Sequence, residues 1–178
     1  MPTLRTFQTS DASAGELARI KGMVVLAFAG GFDDDDWAHA LGGWHVVVVD
    51  HDGTALAHAA VVPRLLEVAG RPVRAGYVEA VATAPGRQGD GLGSLAMTEV
   101  GEIVRRDYEL GALSTSRHAF YGRLGWDRWQ GQTYVRDGSR LVRTQDEDDG
   151  VMVLRFGPSE DVDLSSTLAC ETRPGDDW

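Results

Sequence analysis

Gly76-Tyr77-Val78-Glu79-Ala80-Val81-Ala82-Thr83-Ala84-Pro85-Gly86-Arg87-Gln88-Gly89-Asp90-Gly91-Leu92-Gly93 joins a strand, a turn and the start of a helix in one stretch. From Tyr77 to Thr83 the residues are apolar and β-prone apart from Glu79, and Pro85-Gly86 ends the run. Helical periodicity follows: Leu92, Leu95, Ala96, Val100, Ile103 and Val104 make one apolar face, with Glu99, Glu102, Arg105 and Arg106 mostly outside it. Amide donors without intrahelical partners collect at a helix N-terminus, and the macrodipole favours negative charge there. Gly89, Gly91 and Gly93 remove the side chains that would keep a phosphate at a distance, so the stretch reads as a pyrophosphate cradle. On spacing alone, a tight strand-to-helix turn with incidental glycines fits as well. The turn lacks the Gly-Lys-Ser/Thr ending of a P-loop, which argues against a nucleotide triphosphatase. At least two predicted strands precede it, which argues against a dinucleotide fold, where the glycines follow the first strand.

Working outward, the pattern predicts a single mixed sheet with helices around it. A first strand is expected at Leu4–Phe7 and a helical region from Ala14 to Phe28, with Leu17, Ile20, Val24, Leu26, Ala27 and Phe28 as its apolar residues. Trp44–Val49 and Ala55–Val62 read as strands joined by Asp50-His51-Asp52-Gly53, whose Asp-Gly pair favours a hairpin. A second hairpin is expected from Leu65–Val68 through Ala69-Gly70-Arg71-Pro72 to the strand that begins near Ala75. Downstream come a strand at Gly111–Ser114, a short helix around Ala119–Tyr121, and strands near Trp129 to Val135 and Val151 to Phe156. Asp137 to Gly150 and Gly157 to Asp163 read as loops. No repeat or long linker interrupts the chain, so 1–178 is expected to be one domain.

Composition narrows the function. Twenty-seven acidic against seventeen basic residues give a formal charge of −10, which repels nucleic-acid phosphates and attracts polycations. No nucleic-acid partner is expected. The acidity is concentrated in Asp33-Asp34-Asp35-Asp36, Asp146-Glu147-Asp148-Asp149 and Asp176-Asp177-Trp178. These runs fit solvated loops, or patches that would suit a substrate carrying several ammonium groups. No run of eighteen apolar residues and no apolar segment after Met1–Phe7 occurs, so a cytoplasmic protein without a membrane partner is expected. Cys170 is the only cysteine, and His39, His45, His51, His58 and His118 form no recognisable metal set, so no metal is expected.

Gln88-Gly89-Asp90-Gly91-Leu92-Gly93 resembles the Gln/Arg-x-x-Gly-x-Gly/Ala acetyl-coenzyme A motif of the GNAT superfamily of N-acetyltransferases. Ala27-Phe28-Ala29-Gly30, Asp36-Trp37, Leu41-Gly42-Gly43, Gly76–Glu79, Leu110–Ser114, Tyr121–Trp126, Asp148-Asp149-Gly150 and Gly175–Trp178 together resemble the aminoglycoside 2'-N-acetyltransferase family. The ordered combination is far more specific than the six-residue motif. It implies an α/β acetyltransferase fold with a central, mixed, mostly antiparallel sheet flanked by helices. It also implies acetyl-coenzyme A as cofactor, coenzyme A as product, an aminoglycoside antibiotic as substrate and a homodimer. A different polyamine or amino-sugar substrate is an alternative, and so is an acyl-coenzyme A-binding regulator without turnover.

The resemblance assigns roles residue by residue. Glu79 is the expected base and a substrate contact, because an ammonium must lose a proton before its nitrogen can attack. Tyr121 is the expected acid for a departing thiolate. On pattern alone Glu79 also fits a solvent-facing strand position and Tyr121 a packing residue. Backbone amides of Ala80, Val81, Ala82 and Thr83 are expected to hold the pantetheine arm and polarise the thioester, and Gln88, Gly89, Asp90, Gly91, Leu92, Gly93 and Ser94 to hold the pyrophosphate. Asp36, Ser114, Asp176, Trp178 through its terminal carboxylate, and one of the pair Asp148 and Asp149 are the expected substrate contacts, since carboxylates form charge-assisted hydrogen bonds with ammonium groups. Gly31 is a departure, standing where the family can carry an aspartate.

Overall fold

The computed structural model describes residues 1–178 as two compact units, Met1–Val62 with Val78–Glu102, and Pro63–Tyr77 with Ile103–Trp178. Strands β3 (Ala55–Val68) and β4 (Arg71–Thr83) contribute residues to both units.

The first unit holds β1 (Thr3–Gln8), α1 (Ala14–Phe28), α2 (Asp34–His39) and β2 (Trp44–Val49). β1 pairs antiparallel with β2 from Thr3 opposite Val49 to Gln8 opposite Trp44, and β2 pairs antiparallel with β3. Ser13 caps α1 by accepting the Glu16 amide, and left-handed Ala29 ends it. The Asp33–Asp36 run is not a loop. Asp33 and Asp36 form a reciprocal capping box that starts α2, and acids in a first helical turn are stabilised by the macrodipole. Ile20, Met23 and Val24 of α1, Trp37 of α2, Val47 and Val49 of β2, and Ala60, Ala80 and Ala82 share one buried core. Gly43 makes the entry to β2 possible, because a Cβ there would lie 2.0 Å from the Val61 carbonyl oxygen.

In the second unit the strand order is β6 (Asp127–Arg128), β9 (Val151–Leu154), β5 (Leu110–Ser114), β4, β3, β10 (Leu168–Glu171), β7 (Thr133–Asp137) and β8 (Arg140–Arg143). β4 runs parallel to β5 from Ala75 opposite Leu110 to Tyr77 opposite Ala112, and β10 runs parallel to β7. The β5–β9, β6–β9, β7–β8 and β3–β10 pairs are antiparallel, so the sheet is mixed and mostly antiparallel, as expected. α4 (His118–Gly122) follows β5.

Helix α3 (Leu92–Asp107) buries Leu92, Ala96, Met97, Val100, Ile103 and Val104, while Leu95, expected on that face, is 44% exposed. Two other expectations change, and one strand was not expected at all. β3 is one strand of 14 residues rather than two, because Pro63 falls between the stretch paired with β2 and the stretch paired with β10. The predicted loop Asp137–Gly150 contains strand β8 and a 3-10 turn at Gln145–Glu147. The strand the sequence does not announce is β10, whose Leu-Ala-Cys-Glu is too short to carry a periodic signal. No helix is long and apolar enough to cross a membrane.

The Gly43 contact yields a first prediction. Gly43→Ala should destabilise the protein by about 1–3 kcal/mol through overpacking against β3 backbone, read as a lower midpoint of urea unfolding; an unchanged midpoint would mean that β2 can enter the sheet by another path.

Candidate active site

In the first unit, β4 delivers Glu79 half-buried and then departs from strand geometry. Ala80 has φ +51, inside a strand where a non-glycine residue rarely adopts a left-handed conformation. Val81, Ala82 and Thr83 complete the strand, and the Ala84 amide then bonds the Leu56 carbonyl at 2.8 Å. Past the turn, Gly89 and Gly91 hold φ of +90 and +79, and a Cβ on either would meet nothing within 4 Å. The backbone therefore faces open space where a bulky anion could approach. Arg87 Nε bonds Asp90 Oδ2 at 2.8 Å, which ties up the acid nearest the helix start. The first turn of α3 carries no acid, so the amides there present their dipole without a competing carboxylate. Asp36 stands in the first turn of α2, one carboxylate oxygen accepting the Asp33 amide at 2.9 Å.

In the second unit, Tyr121 lies 7% exposed on α4, packed edge-on against Phe120 and Trp126. Burial pushes its hydroxyl up to about 12, so the phenol keeps its proton at neutral pH. Ser114 ends β5 beside the turn that contains Glu147 and Gly150. A Cβ at Gly150 would sit 2.9 Å from Ser114 Oγ and 3.7 Å from Glu147 Oε2, so glycine permits this approach. Glu147 is the residue the motif reading passed over. Its carboxyl is raised by burial first and then by the charge of Asp176, against a hydrogen bond from Ser114. Ser114, Glu147 and Asp176 thus form one acidic group.

The pair Asp148 and Asp149 divides sharply. Asp148 is bound by Arg143 through both guanidinium nitrogens, and by the amide and hydroxyl of Thr133 at 2.9 Å each. The Arg143 hydrogen bond holds its carboxyl well down, at about 2. Asp148 therefore pins the turn that presents Glu147. The Asp149 side chain is 98% exposed and reaches Arg128 only at 3.5 Å.

The tail is anchored. Arg64 donates to the Asp177 carbonyl at 2.8 Å, the Arg173 amide to Asp177 Oδ1 at 2.9 Å, and the Trp178 indole to Thr144 Oγ1 at 3.1 Å. Trp178 is 4% exposed, and its amide donates to Asp176 Oδ1 at 3.2 Å. Buried Cys170, its thiol pushed up to about 11 by burial, donates to the Asp177 carbonyl at 3.3 Å. Elsewhere, Asp50, His51 and Asp52 bring ligand-type atoms within 4.8 Å of one another, but Asp50 Oδ1 is occupied by the Asp52 and Thr54 amides of the hairpin turn.

The acetyltransferase (GNAT) domain model matches residues 9–129. An aminoglycoside 2'-N-acetyltransferase from Mycolicibacterium fortuitum is 41% identical over 180 residues, covering 99% of this chain and 92% of that protein. The chain belongs to the GNAT acetyltransferase family, in the aminoglycoside 2'-N-acetyltransferase group. Acetyl-coenzyme A is the acetyl donor of this family. Among solved structures, the family fold is shared with the GNAT acetyltransferase YhbS from Escherichia coli in complex with CoA, at TM-score 0.66 and 15% identity over 95% of this chain and 89% of that one. It is shared also with a GNAT acetyltransferase from Brucella melitensis in complex with acetyl-CoA, at TM-score 0.60 and 19% identity over 88% and 90%. Some similar solved chains are longer: this acetyltransferase covers 34% of a probable N-acyltransferase from Enterococcus faecalis, at TM-score 0.60 and 16% identity over 74% of its own length.

The buried imidazoles and Asp148 contribute to the acid stability of this acetyltransferase. Burial first, and for His58 also the neighbouring ring, lowers His45 from 6.5 to about 4 and His58 from 6.5 to about 3. Both are depressed, so unfolded chains take up these protons first as the pH falls. The stability is complete above 6.5 and is lost as pH falls towards the folded values, on the order of 3 kcal/mol for His45 alone. Asp148 adds a second loss, which begins near 3.8 and continues to about 2. Calorimetric melting from pH 8 to 3 should show a falling midpoint below pH 6.5; a flat midpoint down to pH 4 would mean that the rings titrate as if exposed.

Proposed function

We propose that the protein transfers the acetyl group of acetyl-coenzyme A to the 2'-amino group of aminoglycoside antibiotics and thereby confers resistance. The observation that carries this reading is the 41% identity over 99% of the chain to a protein named for that reaction. The acidic group at Ser114, Glu147 and Asp176 supports it, because a polyammonium substrate needs partly desolvated carboxylates as partners.

The residues present fit acetyl-coenzyme A. The left-handed glycines open the backbone at 89 and 91, and the helix start beyond them carries no acid. Gln88 to Ser94 would hold the pyrophosphate with their amides, and the amides of Ala80 to Thr83 would hold the pantetheine arm. When bound, the cofactor supplies an electrophilic thioester carbonyl and a thiolate leaving group. Glu79 takes the proton from the substrate ammonium, through water, so that a nitrogen lone pair becomes available. Tyr121 retains its proton to about pH 12 and gives it to the departing sulfur. Glu147 and Asp176 orient the drug through its ammonium groups, with Ser114 as a neutral oxygen beside them, and the family resemblance adds Asp36 as a further substrate carboxylate. Trp178 places Asp176 through its amide bond to that carboxylate. Asp149 supplies an exposed charge at the rim, and Asp148 acts on the drug through the turn that it pins.

We also read residues 1–178 as one acetyltransferase domain, since β3 and β4 each contribute to both compact units. The family resemblance supports a cytoplasmic homodimer. Leu141 and Val142, 53% and 42% exposed on terminal strand β8, offer an apolar strip for such an assembly.

Coenzyme A release with tobramycin, gentamicin, spermidine and simple amino sugars, followed by mapping of the acetylated nitrogen, tests the reading. Acetylation confined to the 2'-nitrogen supports it; turnover only on spermidine or simple amino sugars, or none at all, removes it. Kanamycin A, with a hydroxyl at that position, is the negative control.

Glu79→Gln should lower kcat by about 10²–10⁴ at neutral pH with coenzyme A affinity unchanged. Tyr121→Phe should lower kcat with the melting midpoint retained. Equal turnover in either variant would remove that residue from proton transfer. Glu147→Gln should raise the tobramycin Kd about 10-fold to 100-fold, the worth of one charge-assisted hydrogen bond, whereas Asp149→Asn should change it less than threefold. Calorimetric titration distinguishes the two, and the reverse order would move the substrate contact to Asp149.

A further inference from the structure

His45 and His58 are both 0% exposed, and the proposed chemistry uses neither. Buried imidazoles are costly unless their ring nitrogens are paired. His58 Nδ1 lies 2.8 Å from the Ala80 carbonyl oxygen, His45 Nδ1 lies 2.9 Å from His58 Nε2, and Thr9 Oγ1 lies 2.9 Å from His45 Nε2. The Gly42 amide donates to Thr9 Oγ1 at 3.0 Å. A carbonyl can only accept, so the proton of His58 is on Nδ1 and its Nε2 accepts from His45 Nδ1. His45 Nε2 must then accept from the Thr9 hydroxyl, whose other acceptor, the Gly43 carbonyl, is farther away at 3.2 Å. The four bonds point one way, from the Gly42 amide to the Ala80 carbonyl. Trp37 packs on both rings at 6.1 and 5.9 Å and Phe7 stacks on His45 at 5.5 Å, which restrains them from turning.

The chain ends on the one residue of β4 with left-handed backbone. Ala29 and Ala69 also have positive φ, but they stand at a helix end and in a hairpin turn, where it is common. In mid-strand it is strained for a residue that carries a Cβ and needs a restraint. The peptide after Ala80 is trans, so its carbonyl oxygen and the Val81 N–H point in opposite directions. Holding one aims the other.

We propose that Thr9, His45 and His58 are positioning residues: their buried hydrogen-bond chain locks the Ala80–Val81 peptide and so sets the aim of the Val81 amide and the orientation of Glu79 beside it. The proposal deepens the proposed function and rests on it for the roles of Val81 and Glu79. The rings must stay neutral, since a second proton on His58 would set its Nε2–H against the Nδ1–H of His45, and one on His45 would turn the Thr9 hydroxyl from donor to acceptor. The charged group that acts on His45 is Glu16; His58 faces His45, Trp37 and the Ala80 carbonyl.

The test compares His58→Leu, which removes the donor to Ala80, with His58→Asn, which returns an amide donor near the Nδ1 position, and Thr9→Val, which cuts the far end. Measured are kcat and KM with tobramycin, coenzyme A affinity, the melting midpoint, and the Ala80 carbonyl and Val81 amide resonances. His58→Leu should lose about 10-fold to 100-fold in kcat, as expected for a misaimed oxyanion donor. Its coenzyme A affinity should fall less than kcat does, because the Val81 amide is one of several contacts and the pyrophosphate cradle is untouched. His58→Asn should recover most of the loss, and both resonances should move in His58→Leu. A folded His58→Leu with wild-type kcat overturns the proposal, as does a His58→Asn that is equally stable and no faster than His58→Leu. Should His58→Leu fail to fold, Thr9→Val decides: lower kcat at an unchanged midpoint supports the device, and unchanged kcat overturns it. Should the wild type acetylate no aminoglycoside, the proposed function fails, and the device is judged by nuclear magnetic resonance alone. Nδ1-protonated tautomers on both rings, with a Val81 amide that moves in Thr9→Val, would sustain it; an unmoved amide would overturn it.

Discussion

The hydrogen bond from His58 Nδ1 to the Ala80 carbonyl, at 2.8 Å, is the constraint around which the first unit is arranged. It holds a left-handed alanine inside a strand, immediately after the one carboxylate of that strand. The partners that keep His58 in place come from separated parts of the chain: His45 from β2, Thr9 from the turn after β1, and Trp37 from α2. An unpaired buried imidazole would cost more than its ring contacts return, so a fault at one link is felt along the others.

The second unit solves a different problem, which is how to keep acids close together in a folded protein. Asp148 is neutralised by Arg143 and Thr133, and Asp177 is bound by the Arg173 amide. Glu147 is left with its proton affinity raised, by burial first and then by the charge of Asp176. An ammonium placed between them would relieve that repulsion. The acidic surface of the chain therefore has two kinds of carboxylate, those spent on structure and those left strained. The same logic explains α2, where Asp33 and Asp36 serve as helix caps.

Much of the fold was legible because its signals are local. The β4 strand, the glycine turn and α3 follow from a change of hydrophobic period, and the β2–β3 hairpin from its Asp-Gly turn. β8 and β10 were not legible, since strands of four residues with mixed polarity carry too little pattern. Leu95 fits the helical period and yet faces outward, because period alone does not say how wide a strip the neighbouring elements cover.

Sequence by itself determined the family, through an ordered set of short motifs, and named Glu79, Tyr121 and the glycine cradle as residues worth testing. Net charge indicated a cationic partner but could not sort one carboxylate from the next. Tertiary structure decided that Asp148 is bound by Arg143 while Glu147 sits with Ser114 and Asp176. It also decided that two histidines thirteen residues apart meet in the core and end on Ala80. The reason is physical: a carboxylate or an imidazole acquires its proton affinity from the groups packed against it, and those groups come from chain segments whose separation in sequence says nothing of their contact.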